Sequence, residues 1–402
     1  MTTSSPVYVV GYGMIDGLGN NPSDCFSNMI ADTDFTQDLN FMLDREEKHH
    51  RGILVNEDLL NIPEIPQKLL KTFTKSQLFA FHSVDQALKM SGLKKSSNVA
   101  VIFTSMVNNL ENINEYSQDI VKNKRVNPRY IVNRISDMVP SQICSYYGFM
   151  GTSLSIFASC ATGLYTIEYA QRLCDEYDYV VVGCADANIF YQLVKEFSLI
   201  GALGNYNCPF DDKREGFIMS EGSGCLILQS KDKVKEYGSK IYAKLYPAGC
   251  ASDALDMTSP APDGRGAKLA INKALKNAEF YCKTPISIDA VSAHATSTII
   301  GDPIEYKCIT EYLDKTPIYA PKSKIGHALG SAGILETIYA IESMRNNVIP
   351  HCQNLIQCSF DSKNCLVKEP INYTRNSTKR TLNNSFAFGG KCISQVVEVS
   401  DV

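Results

Sequence analysis

The stretch Leu154-Ser155-Ile156-Phe157-Ala158-Ser159-Cys160-Ala161-Thr162-Gly163-Leu164 changes its period at Cys160. Before it, Leu154, Ile156 and Ala158 alternate with Ser153, Ser155 and Phe157, the two-residue repeat of a strand. After it, Leu164, Ile167, Ala170 and Leu173 recur every third position and spell an amphipathic helix over 163–174. Working outward, Val99 to Phe103, Tyr179 to Val182 and Leu226 to Leu228 read as buried strands, and Tyr179-Val180-Val181-Val182 fits a sheet covered on both faces. The second half keeps the rhythm: strands at Ile288 to Val291 and Ile318 to Ala320, then a glycine-punctuated turn at 326–333. The helix Ile334-Leu335-Glu336-Thr337-Ile338-Tyr339-Ala340 that follows echoes Leu164-Tyr165-Thr166-Ile167-Glu168-Tyr169-Ala170. Strands alternating with helices predict an α/β fold, and the echo points to duplicated halves.

Cys160 ends a predicted strand and opens a helix, so the macrodipole and the free amides there favour the thiolate. Most cysteines are small buried hydrophobes; this setting makes Cys160 a candidate nucleophile. Of six histidines, two stand in small-residue loops after predicted strands. They are His294, in Ala293-His294-Ala295-Thr296-Ser297-Thr298, and His327, in Ile325-Gly326-His327-Ala328-Leu329-Gly330. Together the three residues propose a Cys-His-His site. None has a second ligand at the short spacing of zinc motifs, so no metal is expected, and the local signature of a papain-like hydrolase is missing. Near the C-terminus, Asn384-Ser385-Phe386-Ala387-Phe388-Gly389-Gly390 precedes an apolar strand from Ile393 to Val399. Its glycines suit either a tight turn or a loop whose amides converge on a reacting oxygen.

Composition narrows the function classes. The 402 residues carry 39 Lys and Arg against 43 Asp and Glu, a formal charge of −4 that argues against nucleic acid. No run of 18 apolar residues and no basic-then-apolar leader occurs, and the 14 cysteines lack regular spacing, so a cytoplasmic protein with reduced thiols is expected and no membrane partner. Val7 to Val10 reads as a strand meeting a turn at Gly11, Gly13 and Gly17, a spacing one residue too long for a dinucleotide fingerprint. Lys68, Lys71 and Lys75 would share one helix face, as a solvated surface or as a dock for an acidic partner.

Taken in order, Val9-Val10-Gly11-Tyr12-Gly13-Met14, Ala158 to Gly163, Pro209-Phe210-Asp211 with Arg214-Glu215-Gly216-Phe217, Met257-Thr258-Ser259-Pro260, Ala293-His294 to Asp302, Lys322 to Gly333 and Asn384 to Gly390 resemble the β-ketoacyl-[acyl carrier protein] synthases, type I and II ketosynthases of the thiolase superfamily. The resemblance spans essentially the whole chain. It implies a layered α-β-α-β-α fold, with an N-terminal half at 1–250 carrying the nucleophile and a C-terminal half at 251–402 carrying both histidines. It also implies decarboxylative Claisen condensation of a malonyl carrier thioester with an acyl chain on Cys160, of low pKa, assisted by His294 and His327. The amides of Cys160 and Phe388 would form the oxyanion hole, with Phe388 and Gly389 in a gate. Lys322 would fix the histidines and a carboxylate matched by Glu305, with Phe386, Thr296 and Thr298 in support. Met106 and Phe197 would line the acyl pocket, and Lys68, Lys71 and Lys75 would dock the carrier. No cofactor is implied, and the partners are an acyl carrier protein and a dimer mate, either a second copy or a chain-length factor. Ala295, Ala387 and Lys391-Cys392 depart from the family's usual Gly, Gly and Thr-Asn, and Gly201 from a docking Arg; these changes favour a specialised type II polyketide or polyene system. A non-catalytic chain-length factor usually lacks the cysteine, and a thiolase acting on coenzyme A thioesters needs a second catalytic one.

Overall fold

The computed structural model describes residues 5–39, 50–66, 70, 73–93, 96–107, 113–126, 132, 135–374 and 377–400. Eleven strands form its main sheet: β1 (Val7–Asp16), β2 (Val99–Thr104), β3 (Ser153–Leu154), β4 (Tyr179–Asp186), β5 (Gly222–Gln229), β6 (Ala243–Leu245), β7 (Gly249–Ser252), β8 (Ala290–Ser292), β9 (Ile318–Tyr319), β10 (Thr378–Ala387) and β11 (Lys391–Ser400). The order is β9-β8-β10-β11-β6-β1-β5-β4-β2-β3, with β7 beside β11. From either end it reads alike: β3, β2 and β4 are parallel neighbours, then β5 and β1 join antiparallel; β9, β8 and β10 are parallel, then β11 and β6 join antiparallel. The two halves meet where Val7 pairs with Leu245.

Five helices matter for the site: α1 (Lys75–Ser91), α2 (Thr162–Gln171), α3 (Arg265–Cys282), α4 (Gly301–Tyr312) and α5 (Ala332–Arg345). The strands sort their side chains by alternation, because successive residues of a strand face opposite ways. Val180, Val182, Leu226 and Leu228 enter a central core with Leu164, Ile167, Ile334 and Ile338, while Val181 and Ile227 enter an outer core with Phe79 and Val84. In the second half Ile393 and Val397 join the central core, and Val396 and Leu382 pack outward with Ala270 and Ile271. α2 and α5 are therefore sandwiched between two half-sheets, with α1 and α3 outside: the five expected layers.

Two local expectations are corrected. Gly11 and Gly13 make no turn: β1 continues through them to Asp16, and the chain turns only at Gly17. A Cβ at Gly11 would lie 2.4 Å from the Ala87 carbonyl oxygen and one at Gly13 2.3 Å from that of Ser83, so the missing side chains let α1 lie directly on the strand. The strand expected through Ala158 ends at Leu154. Beyond it Ser155 Oγ donates to Phe103 O (2.7 Å) and Ile156 N to Thr104 Oγ1 (3.0 Å), side-chain bonds that replace the ladder. Among the described residues no helix is long and apolar enough to cross a membrane.

Candidate active site

Cys160 sits on a single 3-10 turn, Ser159–Ala161, that feeds α2. The turn is reached through Ser159 at φ 53°, a left-handed conformation that costs a side-chain-bearing residue energy and so needs support. Thr162 supplies it: its Oγ1 donates to Ser159 O (2.6 Å) and accepts from Ala158 N (2.9 Å). A second turn of this kind, Leu329–Ser331 with Leu329 at φ 47°, feeds α5. The two helix starts abut, since a Cβ on Gly163 would lie 2.5 Å from Ile334 N.

His294 follows β8 and His327 the short helix Lys322–Ile325. Their rings are 5.7 Å apart between centroids and nearly perpendicular at 86°, and both line a cavity of about 500 Å³ with Cys160. Lys322, fully buried, donates from Nζ to His294 Nδ1 (3.2 Å) and pairs with Glu336 of α5. Because an ammonium only donates, Nδ1 must accept, and the remaining imidazole proton lies on Nε2. The loop backbone is held by Glu305 of α4, whose carboxylate accepts from His294 N (2.8 Å) and Ala295 N (2.7 Å) and from Asn384 Nδ2 (3.3 Å). His327 packs edge-on to Phe217 (centroids 4.9 Å), and its buried Nδ1 has no hydrogen-bond partner among the described residues.

The electrostatics are those of a dry site. Burial, with Lys322 and the other imidazole adding to it, holds His294 well below the ordinary histidine value, and burial with Lys322 does the same to His327. Both rings are neutral at pH 7. Burial pushes Glu336 up to about 7 while the Lys322 ammonium pulls the other way.

Comparison with known proteins places the chain in a family. The β-ketoacyl synthase N-terminal domain matches residues 4–234 and the C-terminal domain residues 242–356. The chain belongs to the β-ketoacyl synthase family. It is an acyltransferase of that kind. A 3-oxoacyl-[acyl-carrier-protein] synthase homolog of Saccharomyces cerevisiae is 28% identical, with 96% of this chain and 97% of that protein covered. The 3-oxoacyl-[acyl-carrier-protein] synthase 2 of Rhizobium meliloti is 30% identical over 80% of each. Among solved structures, the ishigamide ketosynthase/chain length factor superposes with a TM-score of 0.87 at 23% identity, covering 99% of this chain and 100% of that one. A β-ketoacyl synthase from Burkholderia phymatum gives 0.85 at 22%, with the same coverage; both likenesses establish the fold.

Within this β-ketoacyl synthase, Cys160, His294, His327, Phe197, Thr296, Thr298, Glu305, Phe386 and Phe388 share the cavity wall, with Lys322 behind His294. Thr296 and Thr298 face each other at 3.3 Å between hydroxyl oxygens, and Gly389, in the turn beside Phe388, donates from N to Met257 O (2.7 Å). Met106 does not line the cavity; it packs against the same apolar cluster that Cys160 and Phe197 border.

Three expectations are corrected. Cys160 is not a depressed thiol: burial pushes it up to about 11, although Lys322 and its own amide pull down, and its remaining exposure is to the cavity. One helical turn of partial charge does not offset that loss of solvation. Glu305 is not the lysine's carboxylate, since Lys322 pairs with Glu336 and Glu305 holds the backbone of the histidine loop. Glu336 was legible as the one acid within Ala332-Gly333-Ile334-Leu335-Glu336-Thr337-Ile338, at the place of Thr166 in the echoed helix. Lys75 is not free to dock a partner: it pairs with buried Glu221 (2.9 Å) and with Glu57 (3.1 Å). Lys68 and Lys71 lie outside the described residues.

Proposed function

We propose that Cys160, His294 and His327 carry out a decarboxylative condensation on carrier-bound thioesters. In the first half, the Cys160 sulfur attacks an acyl thioester, the carbonyl oxygen draws on the amides of Cys160 and Phe388, and the thiol proton leaves with the departing pantetheine sulfur. In the second half, a malonyl thioester loses CO2. The enolate carbon attacks the acyl-cysteine, and the tetrahedral intermediate collapses to a product two carbons longer, releasing a cysteine sulfur that takes up a proton. The neutral histidines act as N–H donors to the enolate oxygen rather than as bases.

The observation that carries this reading is the Lys322 bond to His294 Nδ1, which leaves the imidazole proton on Nε2 of a histidine lining the same cavity as Cys160. Cys392 also lines the cavity, as a thiolase reading would need, but its thiol lies 3.9 Å from Asp253 Oδ1 and is pushed far up by burial and that carboxylate, the wrong environment for a base.

The acyl and malonyl groups arrive on an acyl carrier protein. A second ketosynthase-fold chain, identical or a chain-length factor, would cover the open edge of β3, where Met150 is 83% and Phe157 49% exposed. The pathway is a specialised type II system. All fourteen cysteines are free thiols, which supports a reducing, cytoplasmic setting. Intact-mass analysis with a panel of acyl-carrier thioesters tests the reading. An acyl mass on the wild type and not on Cys160→Ala, discharged by malonyl carrier as a longer product, is expected; no acylation by any carrier or coenzyme A thioester refutes it.

A further inference from the structure

The hairpin between β10 and β11 turns at 388–390, with Ala387 paired to Lys391 and Phe386 to Cys392. Both sides of the Phe388–Gly389 peptide are tied. Its N–H donates to Met257 O (2.7 Å), and its carbonyl, that of Phe388, accepts from Lys391 Nζ (3.2 Å). Two residues on, the carbonyl of Gly390 accepts from Asp253 N (2.8 Å). The Lys391 ammonium also lies 3.5 Å from Ser159 Oγ, the residue before Cys160 that holds the left-handed φ of 53°. A Cβ on Gly389 would come within 2.8 Å of Nζ, so this cation lies directly against the turn. Among the described residues no carboxylate pairs with Lys391. Its charge is spent on two neutral oxygens, one on each loop that offers an amide to the reacting carbonyl.

We propose that Lys391 is a positioning residue for acyl transfer: its ammonium bridges the Ser159–Cys160 turn and the Phe388 turn and sets the spacing of their two N–H groups. The proposal rests on the acyl-transfer reading above. An oxyanion hole works only when both donors meet the oxygen at hydrogen-bond distance, and removing a donor outright costs about 100- to 1000-fold in rate. Loosening the spacing of two donors that both remain costs less. It acts on the transition state, so it lowers the rate at saturation and leaves KM almost unchanged.

The test compares wild type, Lys391→Met, Lys391→Thr and Lys391→Arg in single-turnover acylation of Cys160 by an acyl-carrier thioester, read by intact mass, with melting temperatures alongside. Lys391→Met is expected to acylate about 10- to 50-fold more slowly at saturating thioester, with KM within about twofold and an unchanged melting temperature. Lys391→Thr should fall between Met and wild type, and Lys391→Arg, which keeps a cationic donor, should recover most of the rate. A Met variant within twofold of wild type overturns the proposal. So does an Arg variant as slow as Met, or a loss that resides in KM or tracks a fall in melting temperature. A wild type that takes no acyl group refutes the condensation reading instead, so the two failures are distinguishable.

Discussion

The start of α2 and the start of α5 are two copies of one device. Residues 158–171 superimpose in sequence on 328–341: Ser159 and Leu329 hold the left-handed turn, and Gly163 and Gly333 sit at the helix–helix contact. What differs is the cargo. The first copy presents Cys160 where the second has Gly330, and the second carries Glu336 where the first has Thr166. One copy therefore places a cysteine sulfur at the cavity, and the other places the carboxyl that pairs with the lysine bonded to His294. The site exists only because the halves pack against each other.

Breaking the division at its strongest point should have the largest effect. Cys160→Ala is expected to abolish covalent acylation, a loss of at least about a thousandfold, read by intact mass. Lys322→Met removes the donor that sets the His294 tautomer and should lower condensation about a hundredfold. Left alone, Glu336 can take up a proton because its value is already about 7, so the accompanying stability loss, measured by denaturant titration, should stay near 2 to 3 kcal/mol rather than that of a stranded charge.

The packing of the two copies gives a smaller and directional effect. Gly163→Ala would press a Cβ to 2.5 Å from Ile334 N, whereas Gly333→Ala meets Leu164 N at 3.0 Å. Denaturant unfolding should show a loss of about 2 to 3 kcal/mol for the first and about 1 for the second; equal losses would mean that the contact is not asymmetric. Outside the site, Lys75→Met leaves the buried Glu221 with the Val55 amide and a carboxyl that burial already pushes toward protonation, and should cost about 1 to 2 kcal/mol while the KM for the carrier stays within twofold. A large rise in that KM would restore the docking role.

The pH dependence sharpens the comparison. A thiol pushed up to about 11 is protonated at neutral pH, so alkylation of Cys160 by iodoacetamide should keep accelerating tenfold per unit up to about pH 9. A plateau near pH 7 would show the depressed thiolate that the helix start alone suggests.

Much of this is readable in the sequence. The duplication shows in the echo of Leu164 to Ala170 by Ile334 to Ala340, because central helices need the same apolar spacing in both halves. Cys160, His294 and His327 stand out as chemistry-bearing residues between small neighbours. What failed to show was partnership across the fold. Lys322 has two acids that could answer it, and only the assembled fold decides for Glu336 over Glu305. The lysine spacing at 68, 71 and 75 suggests an exposed face, but Glu221, just ahead of β5, arrives from far along the chain and claims Lys75. Gly11 and Gly13 read as a turn because the tight approach of α1, which requires them, leaves no local trace. The Cys160 thiol differs from its sequence expectation for the same reason: a helix start is local, whereas burial is set by the whole fold.

The division of labour is tested most directly by separating its halves in one assay. CO2 release from malonyl carrier and acyl mass gain would be measured together for Cys160→Ala and His294→Asn. The account predicts that Cys160→Ala still releases CO2 but gains no acyl mass, and that His294→Asn gains the acyl mass but releases CO2 at least about a hundredfold more slowly. Loss of CO2 release in Cys160→Ala, or unimpaired release in His294→Asn, would contradict it.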